Sequence, residues 1–327
     1  MRKAYPVGID VSAKTLVVTS DRSRDTRFDN DPAGHKKLIR FLTKGGRSAQ
    51  VVIEATGVYS LDLALTLHRA PRIEVMVANP RAVANFAKAY LQRSKTDPLD
   101  AEVLLEFARR MPFSAWLPPE PEHLDVRGIS RRIAALVKTL QQEKNRLHAA
   151  SQFAEMTPLV RRDIEVNIRH LERRIEHLRD QALTLIGQHG ALHQAFEHLV
   201  SIKGIAEASA ISILGELVVL PADMTVRQWV AHAGLDPRHV QSGSSIHKPA
   251  RISKAGNKYL RAALYMPALV AIQHEPNVAA FYDKLVASGK TKMQANIAVM
   301  RKLLHAIFGM LKNRGNFDGE KFYATNP

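Results

Sequence analysis

The sequence contains no cysteine among its 327 residues. Disulfide bonds and thiolate zinc sites are therefore excluded, and a reducing, cytosolic setting fits this composition. Long hydrophobic runs are also missing, because no window approaches the roughly 18 uninterrupted apolar residues that a transmembrane helix needs. The N-terminal segment MRKAYPVGIDVSAK is not typical of a signal peptide, since its apolar run is short and contains Asp10. The sequence therefore predicts a cytoplasmic protein that does not enter a membrane.

Acidic residues are scarce relative to basic ones. The chain has 31 Asp and Glu against 47 Lys and Arg, which gives a formal net charge of +16, and 46% of its residues are hydrophobic. A folded protein this basic most often binds nucleic acid, and an anionic membrane surface is the rival partner. The net charge is +7 over residues 1–110, +1 over 111–200 and +8 over 201–327. This pattern predicts two nucleic-acid-binding modules joined by a structural spacer.

The first third of the chain has the pattern of an α/β domain. The segments YPVGIDVS, KTLVVTS, TRFDND, AQVVIEAT and RIEVMVAN predict five strands. Helices are expected over 32–44, 58–69, 80–91 and 97–110 from their apolar spacing and end signals. Three strands followed by alternating helix and strand is the order of an RNase H-like domain. The Pro-rich segment WLPPEPEH, at 116–123, predicts that this domain covers residues 1–115.

The middle of the chain, residues 116–198, has the periodicity of long helices. Its apolar residues step by four and three over three heptads, which is the pattern of a coiled-coil seam. The seam consists of Ile164, Ile168, Leu171, Ile175, Leu178, Ala182 and Leu185. We expect a coiled coil that joins two chains, and the alternative is a helical hairpin within one chain.

The last part, residues 199–327, is predicted to be mostly helical. The segment LVSIKGIAEASAISILGEL has two apolar helices around a turn at Lys203 and Gly204, and it resembles a helix-hairpin-helix. Turn amides of that motif bind a phosphate without contacting bases, whereas an ordinary packed turn is the simpler alternative. A basic run without acids follows in RHVQSGSSIHKPARISKAGNKYLRAALY. Its candidate phosphate contacts are Arg238, Lys248, Arg251, Lys254 and Lys258.

Four acidic residues stand at positions where a charge needs an explanation. Asp10 interrupts the first apolar strand, Glu54 ends the strand VVIE, and Asp97 and Asp100 lie three residues apart at a helix start. Asp alone is favourable in a first helical turn, and that is the alternative for the last two residues. A carboxylate in a buried strand is costly unless it is paired or binds a metal. Together the four predict a site for Mg²⁺, which prefers oxygen ligands.

Several motifs together resemble one family of recombinases. GIDVSAK, IEATGVY, KTDPLDAEVL and GLDPRHVQSGSSIHKPARISKAGNKYLRAALY are similar to segments of the insertion-sequence one-ten transposases, in the same order and spacing. The resemblance covers nearly the whole chain. It implies a DEDD-type recombinase with an RNase H-like (RuvC-like) N-terminal domain, a central helical coiled coil and a mostly α-helical C-terminal transposase domain. It places the four metal-binding acids on Asp10, Glu54, Asp97 and Asp100.

The same resemblance implies a nucleophilic serine and further partners. Ser242 in QSG is the best match to that serine, and Ser244 and Ser245 are the neighbouring alternatives in what we expect to be a flexible SGSS loop. Donor and target DNA, a non-coding guide (bridge) RNA and a homo-oligomer, dimer or tetramer, are implied as partners. The expected setting is the nucleoid of a bacterial cytoplasm. The function so implied is the cutting and rejoining of DNA strands for insertion-sequence mobility.

Two other classes of protein share part of this pattern. A metal-dependent nuclease of the junction-resolvase type would use the four acids and the basic surface but no serine. An actin-like sugar or acetate kinase would have a similar first pair of strands, but its second Asp-Gly-rich phosphate turn is not found in the sequence, and +16 has no purpose there. ATP turnover without DNA is expected of the kinase alone.

Overall fold

The structure is a computed structural model that describes residues 4–55, 57–90, 96–152, 157–242 and 246–324, with the backbone alone at 58, 239–242 and 246–250. The chain divides into two compact units, Met1–Pro118 and Pro119–Pro327. The division falls inside the Pro-rich segment 116–123. Each unit has its own hydrophobic core.

The first unit is an α/β structure whose elements follow the order expected from the sequence. Its strands and helices are β1 (Tyr5–Val11), β2 (Thr15–Ser20), β3 (Ser23–Asp29), α1 (Pro32–Thr43), β4 (Ala49–Glu54), α2 (Val58–His68), β5 (Ile73–Ala78), α3 (Pro80–Ala89) and α4 (Asp97–Arg110). The predicted strands and helices of this region are therefore confirmed, with ends that shift by a few residues at most.

The strands form one mixed sheet with the order β3-β2-β1-β4-β5. Strands β1, β2 and β3 pair antiparallel, while β1 with β4 and β4 with β5 pair parallel. In the parallel pair of central strands, Ile9 of β1 lies opposite Ile53 of β4. The next residues along each strand, Asp10 and Glu54, therefore lie side by side at the same edge of the sheet.

Helices cover both faces of this sheet. One face carries Val7, Ile9, Val51 and Ile53, which are fully buried in a core that includes residues of α1 and α2. The other face carries Val52, which packs with residues of α3 and α4. Because side chains alternate along a strand, Gly8, Asp10 and Glu54 belong to this second face. The carboxylates are thus placed on the side of the sheet that α4 covers.

The second unit is mostly helical. Its elements are α5 (Pro121–Ser151), α6 (Pro158–Gln188), α7 (Gly190–Val200), α8 (Glu207–Leu217), α9 (Val226–Ala233), β6 (Pro237–Ser242), β7 (Ile246–Ile252), α10 (Lys258–Ala263), α11 (Tyr265–His274), α12 (Pro276–Ala287), α13 (Lys292–Asn313) and α14 (Gly319–Phe322). Within the residues described above, no helix combines the length and the apolar character needed to cross a membrane.

The heptad seam of α6 packs against α5 of the same chain. Leu171 and Ile175 are each 4% exposed and share a core with Ile133 and Leu136 of α5. Lys144 of α5 also forms an ion pair of 2.8 Å with Glu172 of α6. The structure therefore agrees with the hairpin alternative, since the apolar surface expected to join two chains is covered within one chain.

The serine-containing segment forms a short β-hairpin. Strands β6 and β7 pair antiparallel, and Ser242 is the last residue of β6, opposite Ile246. The expectation of a flexible loop is therefore wrong for Ser242 itself, whose backbone is held by strand pairing. Its neighbours Ser244 and Ser245 lie outside the described residues, as does the intervening glycine. Strand propensity was hidden here because the segment is rich in Ser, Gly, Lys and Arg rather than apolar residues.

Candidate active site

The candidate metal site begins with two carboxylates at the carboxyl ends of adjacent parallel strands. Asp10 is half-buried and lies one residue before the end of β1. Glu54 ends β4 and is half-buried as well. The strand register brings both residues to the same edge, and both belong to the α4 face. The sheet therefore positions one half of the predicted ligand set.

Helix α4 contributes the other two carboxylates. It begins at Asp97, and the amide of Asp100 donates a 2.9 Å hydrogen bond to the carbonyl of Thr96. Asp97 is exposed and Asp100 is half-buried. Acids in a first turn are favoured by the helix dipole, so the helix-start explanation holds for this pair. The helix dipole does not explain why this turn of α4 lies near the sheet edge that carries Asp10 and Glu54.

The four carboxylates influence one another electrostatically. The pKa of Asp10 is raised to about 6, first by burial and then by the negative charges of Asp100, Asp97 and Glu54. Asp10 therefore lies within the electrostatic range of the other three carboxylates. Within the described residues, no three His, Cys, Asp or Glu side chains are already arranged as a set that could hold a metal ion. The other three carboxylates are therefore near Asp10, but the side chains do not surround a single point as metal ligands would.

Gly8 explains how α4 comes so near to β1. A methyl group on Gly8 would overlap the carbonyl oxygen of Ala101 and the amide nitrogen of Leu105, both in the backbone of α4. The strand and the helix can pack at this distance only because Gly8 has no side chain. The contact lies two residues from Asp10 and one residue from Asp100. A glycine in the strand thus brings the carboxylates of the sheet and of the helix together.

We expect Gly8→Ala to destabilise the first unit by about 1–3 kcal/mol or more, because α4 must move away from β1. Urea denaturation followed by circular dichroism measures this change. Gly128→Ala is the matched control, because Gly128 lies in helix α5 with nothing within 4 Å of an added methyl group. That control is expected to stabilise its helix by about 0.5–1 kcal/mol. Equal unfolding free energies for Gly8→Ala and wild type would contradict the close-packing explanation.

The basic residues near the serine are exposed on one short stretch of the second unit. Arg238 on β6 lies directly opposite Arg251 on β7, and both are exposed. Like charges that face each other across two strands repel, and an anion bound between them offsets this repulsion. Lys254 and Lys258 follow and are exposed too, whereas the side chain of Lys248 is outside the described ones. Four of the five predicted phosphate contacts are thus placed where a nucleic acid can reach them.

The loop that carries Lys254 is held in one conformation. Ser253 donates to Asp236 through its backbone amide, at 2.9 Å, and through its hydroxyl, at 2.5 Å. The amide of Lys254 donates to the carbonyl of Gly234 at 3.2 Å. Lys254 itself has a φ of 51°, in the left-handed region that non-glycine residues seldom adopt. The surrounding hydrogen bonds therefore hold the backbone of Lys254 in this conformation. They also fix the position from which its side chain extends.

The loop that carries Lys254 is supported by a buried ion pair that the sequence analysis missed. Glu216 of α8 is 1% exposed and accepts two hydrogen bonds from Arg131 of α5, at 2.7 and 2.9 Å. Asn257 donates to the same carboxylate at 2.6 Å and caps α10 by accepting from the amides of Tyr259 and Leu260. Burial alone would raise the pKa of Glu216, but the bonds from Arg131 and Asn257 and the nearby arginine charges lower it. An acid inside the apolar run ISILGELVVL was the available signal.

Glu216→Ala is expected to cost about 1–3 kcal/mol of stability, because it leaves the half-buried Arg131 and Asn257 without the carboxylate that accepts their hydrogen bonds. Exposed Glu207 on the same helix provides the control, and Glu207→Ala should cost less than about 1 kcal/mol.

The lowered pKa of Glu216 also predicts that stability depends on pH. Ionised Glu216 stabilises the fold above its unfolded-state pKa of about 4.3, and this contribution is lost as the pH falls through the lower folded-state pKa. Denaturation at pH 7 and pH 3 should show that Glu216→Gln loses less stability than wild type on acidification; equal losses would contradict this role.

The turn between α7 and α8 packs inside the second unit. Gly204 has a φ of 108°, and a methyl group there would lie 2.8 Å from the amide nitrogen of Ala271 and from the carbonyl oxygen of Pro267 in α11. Close packing against α11 is thus one reason for the glycine. Lys203 is exposed, and its Nζ lies 3.5 Å from a carboxylate oxygen of Glu275. Phosphate binding by this turn stays a prediction.

Two models of transposase families match the chain. A transposase model of the IS110 DEDD type matches residues 7–154, which include the four carboxylates. A model described as a transposase of the IS116/IS110/IS902 family matches residues 196–283, which include Ser242 and the basic residues around it. The first match covers most of the first unit and continues through α5, the second lies within the second unit, and together they contain every residue of the predicted sites.

Similar proteins extend this result over the full length. The pilin gene-inverting protein of Moraxella lacunata is 30% identical over 332 residues, which cover 97% of this chain and 98% of that protein. The pilin gene-inverting protein of Moraxella bovis is 29% identical over the same shares of the two chains. A putative transposase of Sinorhizobium fredii is 29% identical over 271 residues, 70% of this chain and 67% of its own. The chain belongs to the IS110 family of transposases.

Proposed function

We propose that this protein cuts and rejoins DNA strands with four Mg²⁺-binding carboxylates and a serine nucleophile. The carboxylates are Asp10, Glu54, Asp97 and Asp100, and the nucleophile is Ser242. The observation that carries the proposal is the electrostatic convergence of these four carboxylates in a chain of this family. The sheet order β3-β2-β1-β4-β5, with acids at the ends of the two central strands, supports an RNase H-like assignment for residues 1–115.

The donor set fits a divalent cation. Four carboxylate groups concentrate negative charge at one edge of the sheet, and the pKa of Asp10 is raised by burial and, second, by this repulsion. Oxygen ligands and high charge density suit Mg²⁺. When bound, Mg²⁺ neutralises charge on the phosphate that reacts. Asp10 and Glu54 would hold it from the sheet, and Asp97 and Asp100 from the first turn of α4.

The proposed chemistry at Ser242 conserves the number of phosphodiester bonds. A bond forms between Oγ of Ser242 and phosphorus, while the bond from phosphorus to one deoxyribose oxygen breaks. The hydroxyl proton ends on that leaving oxygen, and the DNA strand is then linked to the protein through phosphoserine. A second deoxyribose hydroxyl can reverse the step on another strand without ATP. Serine chemistry therefore suits strand exchange, whereas attack by water suits degradation.

The exposed basic residues are proposed to hold the DNA backbone near this serine. Arg238 and Arg251 form a facing pair on the hairpin, and Lys254 leaves a loop fixed by hydrogen bonds. Lys203, Gly204, Lys248 and Lys258 complete the proposed set. Contacts of this kind position a nucleic acid and stabilise charge that develops on a phosphate, but they carry no sequence information. Sequence choice by a bridge RNA, which base-pairs with donor and target DNA, is consistent with such a protein.

Inversion of a DNA segment is a second candidate activity. The proteins that match almost the whole chain are named as pilin gene-inverting proteins. Inversion and insertion require the same strand cutting and joining, and they differ in the arrangement of the two sites on the DNA. A homo-oligomer, dimer or tetramer, is proposed for either activity, because several strands must be cut together.

One experiment separates the candidate activities. A plasmid carries the gene with its flanking non-coding DNA in a bacterial host, and long-read sequencing counts new DNA junctions. New insertion junctions would support transposition, and inverted segments would support the second candidate. Broken ends without new junctions would contradict both and indicate a nuclease. RNA that copurifies with the protein is sequenced in parallel, and the proposal expects a transcript of the flanking segment.

A further inference from the structure

The helical hairpin of α5 and α6 carries a groove with a strongly basic lining. The groove has a volume of about 520 Å³. Three arginines and two histidines line it, together with Leu178: Arg132 from α5 and His170, Arg173, Arg174 and His177 from α6. We call this feature the hairpin groove. It lies in the region of near-zero net charge that the sequence analysis assigned to a structural spacer.

The arginines of the hairpin groove are clustered and lack acidic partners among the described residues. Several other basic side chains of the hairpin pair with acids: Lys144 with Glu172, Arg146 with Glu143, Arg161 with Glu165 and Arg179 with Glu176. In the part of the chain that the structure describes, Arg132, Arg173 and Arg174 have no ion pair. Balanced composition therefore conceals an unbalanced surface.

The acids closest in sequence do not neutralise the groove. Glu172 precedes Arg173 but binds Lys144 at 2.8 Å. Glu176 lies three residues after Arg173, at a spacing that often forms a pair on a helix, but it binds Arg179 at 3.3 Å instead. Both carboxylates are engaged with cations that do not line the groove. Three guanidinium groups thus share one concave surface without an acidic partner there.

The spacing of the groove residues matches a strand of nucleic acid. His170 and His177 are seven residues apart, which corresponds to about 10 Å along a helix, and the arginine pair lies between them. One strand of a duplex places a phosphate about every 3.4 Å along its axis. The α6 side of the groove therefore spans about three phosphates, and Arg132 faces them from α5.

The platform under the groove is rigid. Leu171 and Ile175, which alternate with the groove residues along α6, are buried in the core that the hairpin shares with α8 and α13. Leu178, at the base of the groove, is partly buried against the same core. The guanidinium groups are thus mounted on helices that do not need to refold when a ligand binds. Guanidinium groups also match phosphate oxygens in geometry as well as in charge.

We propose that the hairpin groove binds the phosphodiester backbone of a nucleic acid, on Arg132, Arg173 and Arg174. The inference rests on the proposed function only in that nucleic acids are the expected partners. It adds a third contact region to the two basic regions at either end of the sequence. The central helices then position a nucleic acid in addition to separating the two parts of the chain.

The test compares two triple variants of the full-length protein. Arg132→Gln/Arg173→Gln/Arg174→Gln removes the groove charges, and Arg146→Gln/Arg161→Gln/Arg179→Gln removes three paired arginines from the same helices. Both lower the net charge equally and keep side chains that favour helices. Fluorescence anisotropy in EDTA, which prevents cleavage, measures binding to a 30-base-pair DNA duplex and to an RNA duplex of the same length over a salt series. Circular dichroism confirms that both variants are folded.

We expect the groove variant to bind at least one duplex about tenfold or more weakly near 0.1 M salt, with a salt slope reduced by about two to three. The control variant should remain within about twofold of wild type. Loss for DNA alone would assign the groove to donor or target, and loss for RNA alone to a guide. Wild-type affinity and slope for both duplexes, or equal losses in the control, would overturn the proposal, and the first outcome would favour an acidic protein as the occupant. Because no cleavage is measured, failure of the proposed function would leave this result unchanged.

Discussion

Asp10→Asn is expected to abolish strand cleavage and, without metal, to make the protein more stable than wild type. The pKa of about 6 means that ionised Asp10 is disfavoured in the folded state by burial and by three neighbouring carboxylates. The unfolded chain has an ordinary pKa near 3.9, so ionisation between these values costs folding free energy at neutral pH. Asparagine has the same shape without the charge. Because Asp10 is only half-buried, solvent screening reduces this effect; a gain on the order of 1 kcal/mol is expected at pH 7.5, and it should vanish below about pH 4.

In the presence of Mg²⁺, we expect the wild type to be more stable than Asp10→Asn. Binding to the folded state raises the melting temperature of the wild type, while Asp10→Asn lacks one ligand and responds less. Cleavage by the variant should fall by on the order of 10³-fold or more, because charge on the phosphate is no longer neutralised in the same geometry. Exposed Asp29 supplies the control, and Asp29→Asn should change neither property. Full cleavage by Asp10→Asn, or a wild-type melting temperature unaffected by Mg²⁺, would contradict the four-carboxylate site.

Ser242→Ala is expected to eliminate both the protein–DNA adduct and the recombinant product. The change removes one hydroxyl and no charge, so binding of DNA and of Mg²⁺ should stay within about twofold of wild type. Denaturing gels of end-labelled substrate detect the adduct as a band of reduced mobility. Ser244→Ala and Ser245→Ala are the matched controls in the same sequence motif, QSGSS, and should retain the adduct. If the adduct persisted in Ser242→Ala but disappeared in either control, the nucleophile would move by two or three residues and the chemistry would stand.

The strands and the helix that carry the four candidate carboxylates of the first unit were largely predictable from the sequence. Alternating apolar residues fixed which faces of β1 and β4 are buried, and Asp10 and Glu54 stood out because they interrupt or end such strands. Helix α1 was bounded by Asp31, which caps its N-terminus, and by the glycines that follow it. Local signals of this kind act over a few residues and therefore survive without knowledge of the tertiary structure.

What could not be predicted depends on contacts between distant segments. A heptad pattern specifies an apolar stripe on α6 but not whether its partner helix belongs to the same chain, and here α5 covers it. The contact of Gly8 with α4 requires the distance between two elements nearly 100 residues apart. The positive charge of the hairpin groove is likewise not visible in the sequence. The acids next to its arginines, Glu172 and Glu176, bind other cations in the folded structure.

The central claim is that carboxylate-bound metal and Ser242 act in one reaction. The most direct measurement is mass spectrometry of protease digests after wild-type protein has reacted with DNA in Mg²⁺ and, separately, in EDTA. The account predicts a nucleotide-linked peptide with its phosphate on Ser242 in Mg²⁺, and the same peptide unmodified in EDTA. Cut DNA with free ends and an unmodified Ser242 peptide in Mg²⁺ would contradict it.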